Sequence, residues 1–206
     1  MQAIHNDYYN TIEQYSTATF TDRGSKFIAH AFPLKQADEY KQIIKKLKEE
    51  NPKANHFCYA YKIGLDNNNA RSSDAGEPNG SAGKPILNQI ISKQITNVLV
   101  VVVRYFGGTL LGVPGLINAY KTATSLALQT TPIVQKQVFE DYEVSCDYTV
   151  LNTIITMAKQ FGCTIYKQEI LLFAQIGISV PKPKVQEVLF KLGNIQGVKI
   201  DKKKIN

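Results

Sequence analysis

The stretch ARSSDAGEPNGSAGKPIL, residues 70–87, contains three glycines and two prolines and ends in an apolar pair. Pro85 suits the first turn of a helix, since its missing N–H needs no partner there. A second glycine-rich stretch, RYFGGTLLGVPGL at residues 104–116, follows an apolar run at residues 98–103. Such a run is typical of a strand that is covered on both faces. The pattern predicts a sheet whose helices begin at glycine loops.

The rest of the first part of the chain predicts three more strands and two helices. β-Branched and aromatic residues flank a turn at residues 22–25, which predicts a strand pair within residues 11–34. Residues 36–52 place Ala37, Tyr40, Ile44 and Leu47 on one helical face. Residues 56–63 alternate with a period of two, as a strand does, and residues 115–129 again have a helical period. The first part of the chain is therefore predicted to be α+β.

The sequence TTPIVQ, residues 130–135, breaks these patterns and is predicted to be a linker. Beyond it, the patterns predict a strand near 137–146, a helix near 149–161, two strands near 163–170 and 172–180, a helix near 183–192 and a strand near 197–203. This βαββαβ order is that of the ferredoxin-like fold. We expect two domains, residues 1–132 and 133–206.

Composition restricts the class of protein. The 206 residues are 44% hydrophobic and 20% charged, with a net charge of +7, which predicts a globular chain with a substantial core. The amino terminus lacks the pattern of a secretory signal, and the run at 98–103 is too short to span a bilayer. The three cysteines form no CxxC pair, so each is interpreted as a buried apolar side chain. We expect a cytoplasmic protein without a metal or cofactor.

The two glycine loops indicate anion binding. Where such a loop enters a helix, unpaired backbone N–H groups and the helix dipole stabilise negative charge. A nucleotide-hydrolysing P-loop is excluded, because Pro78 stands where its first glycine belongs and Pro85 replaces the magnesium-binding hydroxyl residue. The sequences GSAG and GVPG match the GXXG of KH domains, but a strand precedes them where that fold has a helix. Phosphate is the ligand that these loops favour.

The sequence also allows catalytic chemistry. Asp74 and Glu77 are the acids of the first loop, and they serve either as turn and cap residues or as a general acid and base. His56 lies two residues from Cys58 on the same strand face, but no acid that orients the imidazole is identifiable nearby in sequence. No catalytic residue is assigned on these patterns.

Four motifs together resemble the YigZ/Impact family: RGSKFIAHAFP near the start, HFCYAY, SSDAGEPNGSAGKPIL and VVVRYFGGTLLGVPGLINAY. The resemblance is strong over about residues 10–130, as the Impact amino-terminal domain, and extends further through the βαββαβ order alone. Ala75 stands where the family usually has a second aspartate. Pro114 and Asn118 stand where glycine and arginine are common.

The resemblance implies a first domain with the ribosomal protein S5 domain 2-like fold and a second like the last domain of elongation factor G. It also implies an association with translation, since the family is viewed as nucleic-acid-binding or ribosome-associated. Its eukaryotic relatives restrain a translational stress kinase by competing for its activator, which is a protein-binding role.

Three functions follow as hypotheses. The first is a non-enzymatic binding protein of the translation machinery, in which Arg104, Lys84, Lys26 and the loop amides contact phosphates of RNA or the ribosome and Tyr105 and Phe106 stack on bases. The second is an enzyme acting on a small phosphorylated or carboxylated substrate, with Glu77 as base and Arg104 as anion clamp. The third is a protein-binding module, which predicts an exposed apolar patch. The predicted site comprises Lys26, His56, Asp74, Gly76, Glu77, Gly80, Gly83, Lys84, Arg104, Tyr105, Phe106, Gly107, Gly108, Gly112 and Gly115.

Overall fold

The computed structural model describes residues 7–65, 69–170 and 172–203. They form two compact units, one of residues Tyr9–Lys136 and one of residues from 137 onward together with residues 7 and 8. Most of the amino-terminal segment that lacks a signal pattern lies outside the described residues. The architecture is α+β in both units, as the sequence predicts.

The first unit is built on a five-stranded sheet with helices on both faces. Its elements are β1 (Tyr8–Ile12), β2 (Ser16–Asp22), β3 (Ser25–Pro33), α1 (Glu39–Glu50), β4 (His56–Lys62), β5 (Ala70–Ser73), α2 (Gly83–Ser92), β6 (Val98–Tyr105), α3 (Gly112–Gln129) and β7 (Ile133–Gln137). The sheet order is β2-β3-β6-β4-β5, and each neighbouring pair is antiparallel. Strand β6 therefore lies at the centre of the sheet, as its apolar run predicts.

Helices α2 and α3 pack on one face of this sheet. Ile86 and Ile90 of α2 and Leu116, Ala119 and Tyr120 of α3 join the alternate residues of β3, β4 and β6 in one buried core. The opposite face packs against α1 through Leu47 and the tyrosines of β4. Because β6 is covered from both sides, residues 98–103 are all buried.

Residues 133–135 of the segment predicted to be a linker belong to strand β7. It forms a two-stranded sheet with β1, so the compact units are divided after Lys136 rather than at residue 132. Proline at residue 132 precedes this strand and has no N–H to donate, which explains why the strand pattern is interrupted there.

The second unit has the βαββαβ order. Its elements are β8 (Phe139–Cys146), α4 (Tyr148–Gln160), β9 (Thr164–Ile170), β10 (Ala174–Pro181), α5 (Val185–Gly193) and β11 (Lys199–Lys202). The sheet order is β11-β8-β10-β9 with every pair antiparallel. This is the ferredoxin-like arrangement. Ile154 of α4 and Val188 of α5 share one core with Ile176 and Ile178 of β10.

Candidate functional site

The first glycine loop closes on the side chain of Asp74. One carboxylate oxygen accepts the N–H of Gly80 at 2.9 Å, and the other accepts those of Ala82 at 2.9 Å and Gly83 at 2.8 Å. Burial alone would raise the pKa of Asp74, but the three backbone N–H donors outweigh it and lower that pKa. The amides predicted to bind an external phosphate therefore bind a carboxylate of the chain itself, and the anion-binding role assigned to Gly80 and Gly83 is corrected.

A tight turn follows Asp74 and sets the position of Glu77. The N–H of Glu77 donates to the carbonyl of Asp74 at 3.0 Å, and Ala75 and Gly76 between them have φ of 46° and 90°. Two central residues with positive φ define a type I′ turn. A Cβ on Gly76 would lie 3.3 Å from His56 Nδ1, and that nitrogen is 3.0 Å from the carbonyl oxygen of Ala75. The turn therefore holds the His56 ring beside Glu77.

Glu77 is the centre of a buried polar network. Its Oε1 accepts hydrogen bonds from Arg104 Nη1 at 2.6 Å and from the Tyr120 hydroxyl at 2.7 Å, and His56 Nε2 lies 3.9 Å away. The side chains of Glu77 and Arg104 are only 3% and 6% exposed. A buried ion pair of this kind is costly to break by removing one partner. Arg104 is thus neutralised inside the fold, which leaves it unsuited to the predicted contact with RNA phosphates.

Cys58 and Tyr120 extend this network inward. Cys58 Sγ lies 2.9 Å from the carbonyl oxygen of Asp74 and 3.3 Å from the Tyr120 hydroxyl. Burial raises the pKa of the Cys58 thiol to about 12, and burial likewise raises the pKa of Tyr120. Both groups stay protonated at neutral pH. Cys58 is therefore a buried packing residue and not an activated nucleophile.

The second glycine loop is anchored at its start by two backbone N–H groups that donate to side chains. The N–H of Gly107 donates to Ser25 Oγ at 3.1 Å, and the N–H of Phe106 donates to Asn55 Oδ1 at 2.8 Å. A Cβ on Gly107 would lie 1.8 Å from the carbonyl carbon of Gly24, so only glycine fits at this crossing. These two amides are occupied and do not bind an external anion.

The two loops border a cavity of about 480 Å³. Asn55, His56, Glu77 and Arg104 line its polar side, and the other lining residues are Pro78, Phe106, Leu110, Leu111, Gly112, Val113 and Leu116. The two loops, whose residues the predicted site combines, therefore meet at one cavity. Its wall is mainly apolar, which the phosphate interpretation does not explain.

Four apolar side chains at this cavity and on the adjoining turn of α3 are exposed. Phe106 is 45% exposed, Leu110 82%, Val113 45% and Ile117 39%. Val113 and Ile117 are four residues apart on α3 and so share one face of that helix. We call Phe106, Leu110, Val113 and Ile117 the apolar patch. An exposed patch of this kind is the feature that the protein-binding hypothesis predicts.

The remaining predicted residues lie outside the cavity wall or contribute backbone geometry to it. Lys26 and Lys84 are exposed but do not line the cavity. Tyr105 donates from its hydroxyl to Asn51 Oδ1 at 2.7 Å. Gly108 and Gly112 are exposed with φ of 85° and 70°, and Gly115 is half-buried. The structure thus unites His56, Glu77, Arg104, Phe106 and Gly112, and not the whole predicted set.

Sequence reasoning missed Tyr120 as a site residue and Leu110 as a surface residue. The helical period correctly assigned Tyr120 to a buried face, but a period does not indicate where a hydroxyl points. Leu110 lies in a loop between glycines, and a leucine in such a position is a recognisable signal for an exposed apolar contact.

The described residues offer neither a metal centre nor a membrane span. No group of three or more His, Cys, Asp or Glu residues in the described ranges is arranged to hold a metal ion. In that same part of the chain, every helix is too short or too polar to cross a bilayer.

Comparison with known proteins places the chain in a family. The Impact N-terminal domain family matches residues 23–128. The chain is 32% identical over 172 residues to "IMPACT family member YigZ" of Escherichia coli (strain K12), covering 82% of this chain and 84% of YigZ. It is 34% identical over 146 residues to "IMPACT family member YvyE" of Bacillus subtilis (strain 168), covering 71% of this chain and 67% of YvyE.

A solved structure extends the likeness to both units. The crystal structure of a protein described as hypothetical matches with a TM-score of 0.78 and 27% sequence identity, covering 97% of this chain and 99% of the other. The family match covers the two glycine loops and the strands that carry them, and the YigZ match continues beyond them. The chain therefore belongs to the Impact family, as its four motifs indicate.

Proposed function

We propose that this chain is a non-enzymatic binding protein associated with translation, and that it contacts a protein of the translation machinery through the apolar patch. Membership of the Impact family supports the association with translation. The single observation that carries the protein-binding part is the cavity of about 480 Å³ whose outer wall consists of exposed apolar side chains. An apolar patch with a polar rim is typical of a protein-protein contact.

The internal hydrogen bonds support a protein partner over RNA. Five loop amides, those of Gly80, Ala82, Gly83, Phe106 and Gly107, already donate to Asp74, Asn55 or Ser25. The guanidinium of Arg104 is paired with Glu77 and nearly inaccessible. The groups that a phosphate needs are therefore used by the fold, and the surface that remains at the cavity is largely apolar.

Contact with RNA of the ribosome is the second candidate. Its support is that Lys26 and Lys84 are exposed and that the Phe106 ring is open to stacking. The chain also carries a net charge of +7, which attracts nucleic acid at low ionic strength. Both candidates have the chain acting in the cytoplasm, where translation takes place.

An enzyme acting on a small anionic substrate is supported less well. The hypothesis needs Glu77 as a free base, but this carboxylate accepts hydrogen bonds from both Arg104 and Tyr120. It also needs Arg104 as an anion clamp, and Glu77 already neutralises that charge. Turnover in a metabolite screen that Glu77→Gln abolishes would overturn the non-enzymatic proposal.

The proposal is tested by cosedimentation with bacterial ribosomes. Leu110 is almost fully exposed, so Leu110→Asp should leave stability within about 0.5 kcal/mol of wild type. If the apolar patch binds, Leu110→Asp should weaken cosedimentation at least about tenfold, the loss expected for one central apolar contact. Ile91→Asp is the matched control, because Ile91 is exposed on α2 and does not line the cavity.

The RNA candidate gives a different result in the same experiment. Lys26→Glu with Lys84→Glu should then abolish cosedimentation, and binding to protein-free ribosomal RNA should fall steeply with added salt. Unchanged binding of Leu110→Asp would contradict the proposed protein contact. Failure of wild type to bind ribosomes, and to bind translation factors immobilised singly, would contradict the association with translation.

A further inference from the structure

Strand β9 forms an outer edge of the sheet in the second unit. In the described residues it pairs with β10 and with no other strand. All of its residues except Ile165 are exposed. The outward N–H and C=O groups of such a strand are open to pairing with another strand.

The charges on β9 are arranged so that the strand complements itself. Lys167 and Glu169 flank Gln168, and Lys167 Nζ lies 3.1 Å from Glu169 Oε2 on the same face of the sheet. When two copies of β9 pair in antiparallel fashion with Gln168 opposite the partner's Gln168, Lys167 stands opposite the partner's Glu169, and Glu169 opposite the partner's Lys167. Opposite charges directly across a strand pair stabilise it.

The same register covers an exposed apolar side chain at the end of β9. Ile170, the last residue of β9, is 56% exposed. In the pairing centred on Gln168, Ile170 stands opposite the partner's Tyr166. The pairing of β9 with β10 is regular from Lys167 to Ile170 and shifts its register between Gly177 and Ile178. Residues 167–169, which carry the charge pairs across the two-fold axis, lie in the regular part.

We propose that a second copy of this chain binds along β9, so that the two four-stranded sheets join edge to edge about a two-fold axis at Gln168. The free edge supplies the backbone hydrogen bonds, and the Lys167–Glu169 order fixes the register. A strand from an unrelated protein satisfies the backbone groups equally well, but it does not present that order of charges. The self-complementary charges therefore favour a second copy, and this interface is separate from the apolar patch.

The test is a charge exchange followed by sedimentation equilibrium over a range of concentrations of the full chain. Wild type should show a monomer-dimer equilibrium. Lys167→Glu and Glu169→Lys should each place two like-charge pairs in the interface and raise the dimer dissociation constant at least about tenfold. The double variant Lys167→Glu/Glu169→Lys restores both pairs and should return the dissociation constant to near the wild-type value.

Lys191→Glu is the matched control. Lys191 forms an exposed pair with Glu187 on α5 in the same unit, and its reversal should leave the dimer unchanged. Circular dichroism checks that each variant is folded. Wild type that stays monomeric at the highest concentrations, single variants that dimerise as wild type does, or a double variant that remains monomeric would each overturn the proposal.

Discussion

The helices α2 and α3 both begin at a glycine-rich loop, yet their amino-terminal ends differ. At α2, the carboxylate of Asp74 accepts three backbone N–H groups around residues 80–83. At α3, no described side chain caps the first turn, Pro114 lacks an N–H, and the exposed Val113 lines a cavity. Loops of similar composition thus have different roles. The N–H groups at the start of α2 are bound by a carboxylate of the chain, whereas the first turn of α3 has no such partner among the described side chains.

An acid inside the loop explains the difference. Asp74 directly follows β5, whose pairing with β4 holds it at a fixed place at the sheet end, and the rest of the loop folds back over its carboxylate. Residues 105–115 contain no acidic residue, and their side chains between the glycines are mostly apolar. The first loop therefore stabilises the fold, whereas the second presents a surface. Four predictions test this comparison.

The largest effect is expected at the anchor of the second loop. Gly107→Ala would put a Cβ 1.8 Å from the carbonyl carbon of Gly24, a clash between two backbones that no side-chain rotation relieves. We expect a loss of about 4 kcal/mol in the free energy of unfolding, as for the most severe overpacking. Urea denaturation followed by circular dichroism measures it.

Gly108→Ala is the control for that prediction. Gly108 has φ of 85°, but a Cβ added to it would meet no described atom within 4 Å, so only backbone strain of about 1 kcal/mol is expected. Equal losses at Gly107 and Gly108 would contradict close approach to Gly24 as the reason that glycine stands at residue 107.

The next effect is expected at the ion pair that joins the two loops. Glu77→Gln leaves the buried guanidinium of Arg104 without a counter-charge, which should cost about 3 kcal/mol. Glu77→Gln combined with Arg104→Met removes both charges, and the loss should be smaller than the sum of the single losses by at least about 1 kcal/mol. Additive losses in the double-mutant cycle would contradict the pairing.

A smaller, pH-dependent effect is expected at the closed loop. Asp74→Ala removes the acceptor of three N–H groups and should cost about 2 kcal/mol at neutral pH, the upper range for a helix cap. The pKa of Asp74 is lowered in the fold, so its contribution is complete above the ordinary aspartate pKa of about 3.9 and is lost as pH falls through the lowered value.

Urea titrations at a series of pH values from neutral to acid measure this dependence. The difference between wild type and Asp74→Ala should stay constant down to about pH 4 and then shrink. Asp74→Asn, which keeps one acceptor oxygen, should lose less than Asp74→Ala at neutral pH and show no such dependence. A difference that grows on acidification would contradict the assignment of Asp74 as an ionised cap.

Most elements of the fold could be predicted from sequence, because the spacing of apolar residues indicates which face of a helix or strand is buried. The run at 98–103 predicts the central strand, and the βαββαβ order predicts the ferredoxin-like unit. The local pattern predicts a linker where strand β7 lies, because the stability of β7 comes from pairing with β1 more than 100 residues away. Such a distant partner leaves no local pattern in the sequence.

The candidate site was less predictable than the fold. The predicted site combines residues of both loops, and the loops do border one cavity, but the direction of each polar group could not be predicted from the motifs. Asp74 reaches amides six to nine residues ahead, and Tyr120 reaches Glu77 from helix α3. The contacts of Asp74 and of Glu77 occupy the backbone N–H groups and the Arg104 guanidinium that a bound phosphate would need. Only coordinates show that the accessible surface which remains is apolar.

The smallest expected effect is a gain in stability from a substitution in the first glycine loop. Ala75 has φ of 46° at the first central position of a type I′ turn, where asparagine and aspartate are favoured and alanine is strained. Ala75→Asn should therefore raise the free energy of unfolding by about 1 kcal/mol, measured by urea denaturation. Ala82→Asn is the control, because Ala82 is fully buried and has φ of −130°, so the same side chain should destabilise there. A loss at residue 75 would mean that a contact of the alanine methyl outweighs the backbone strain.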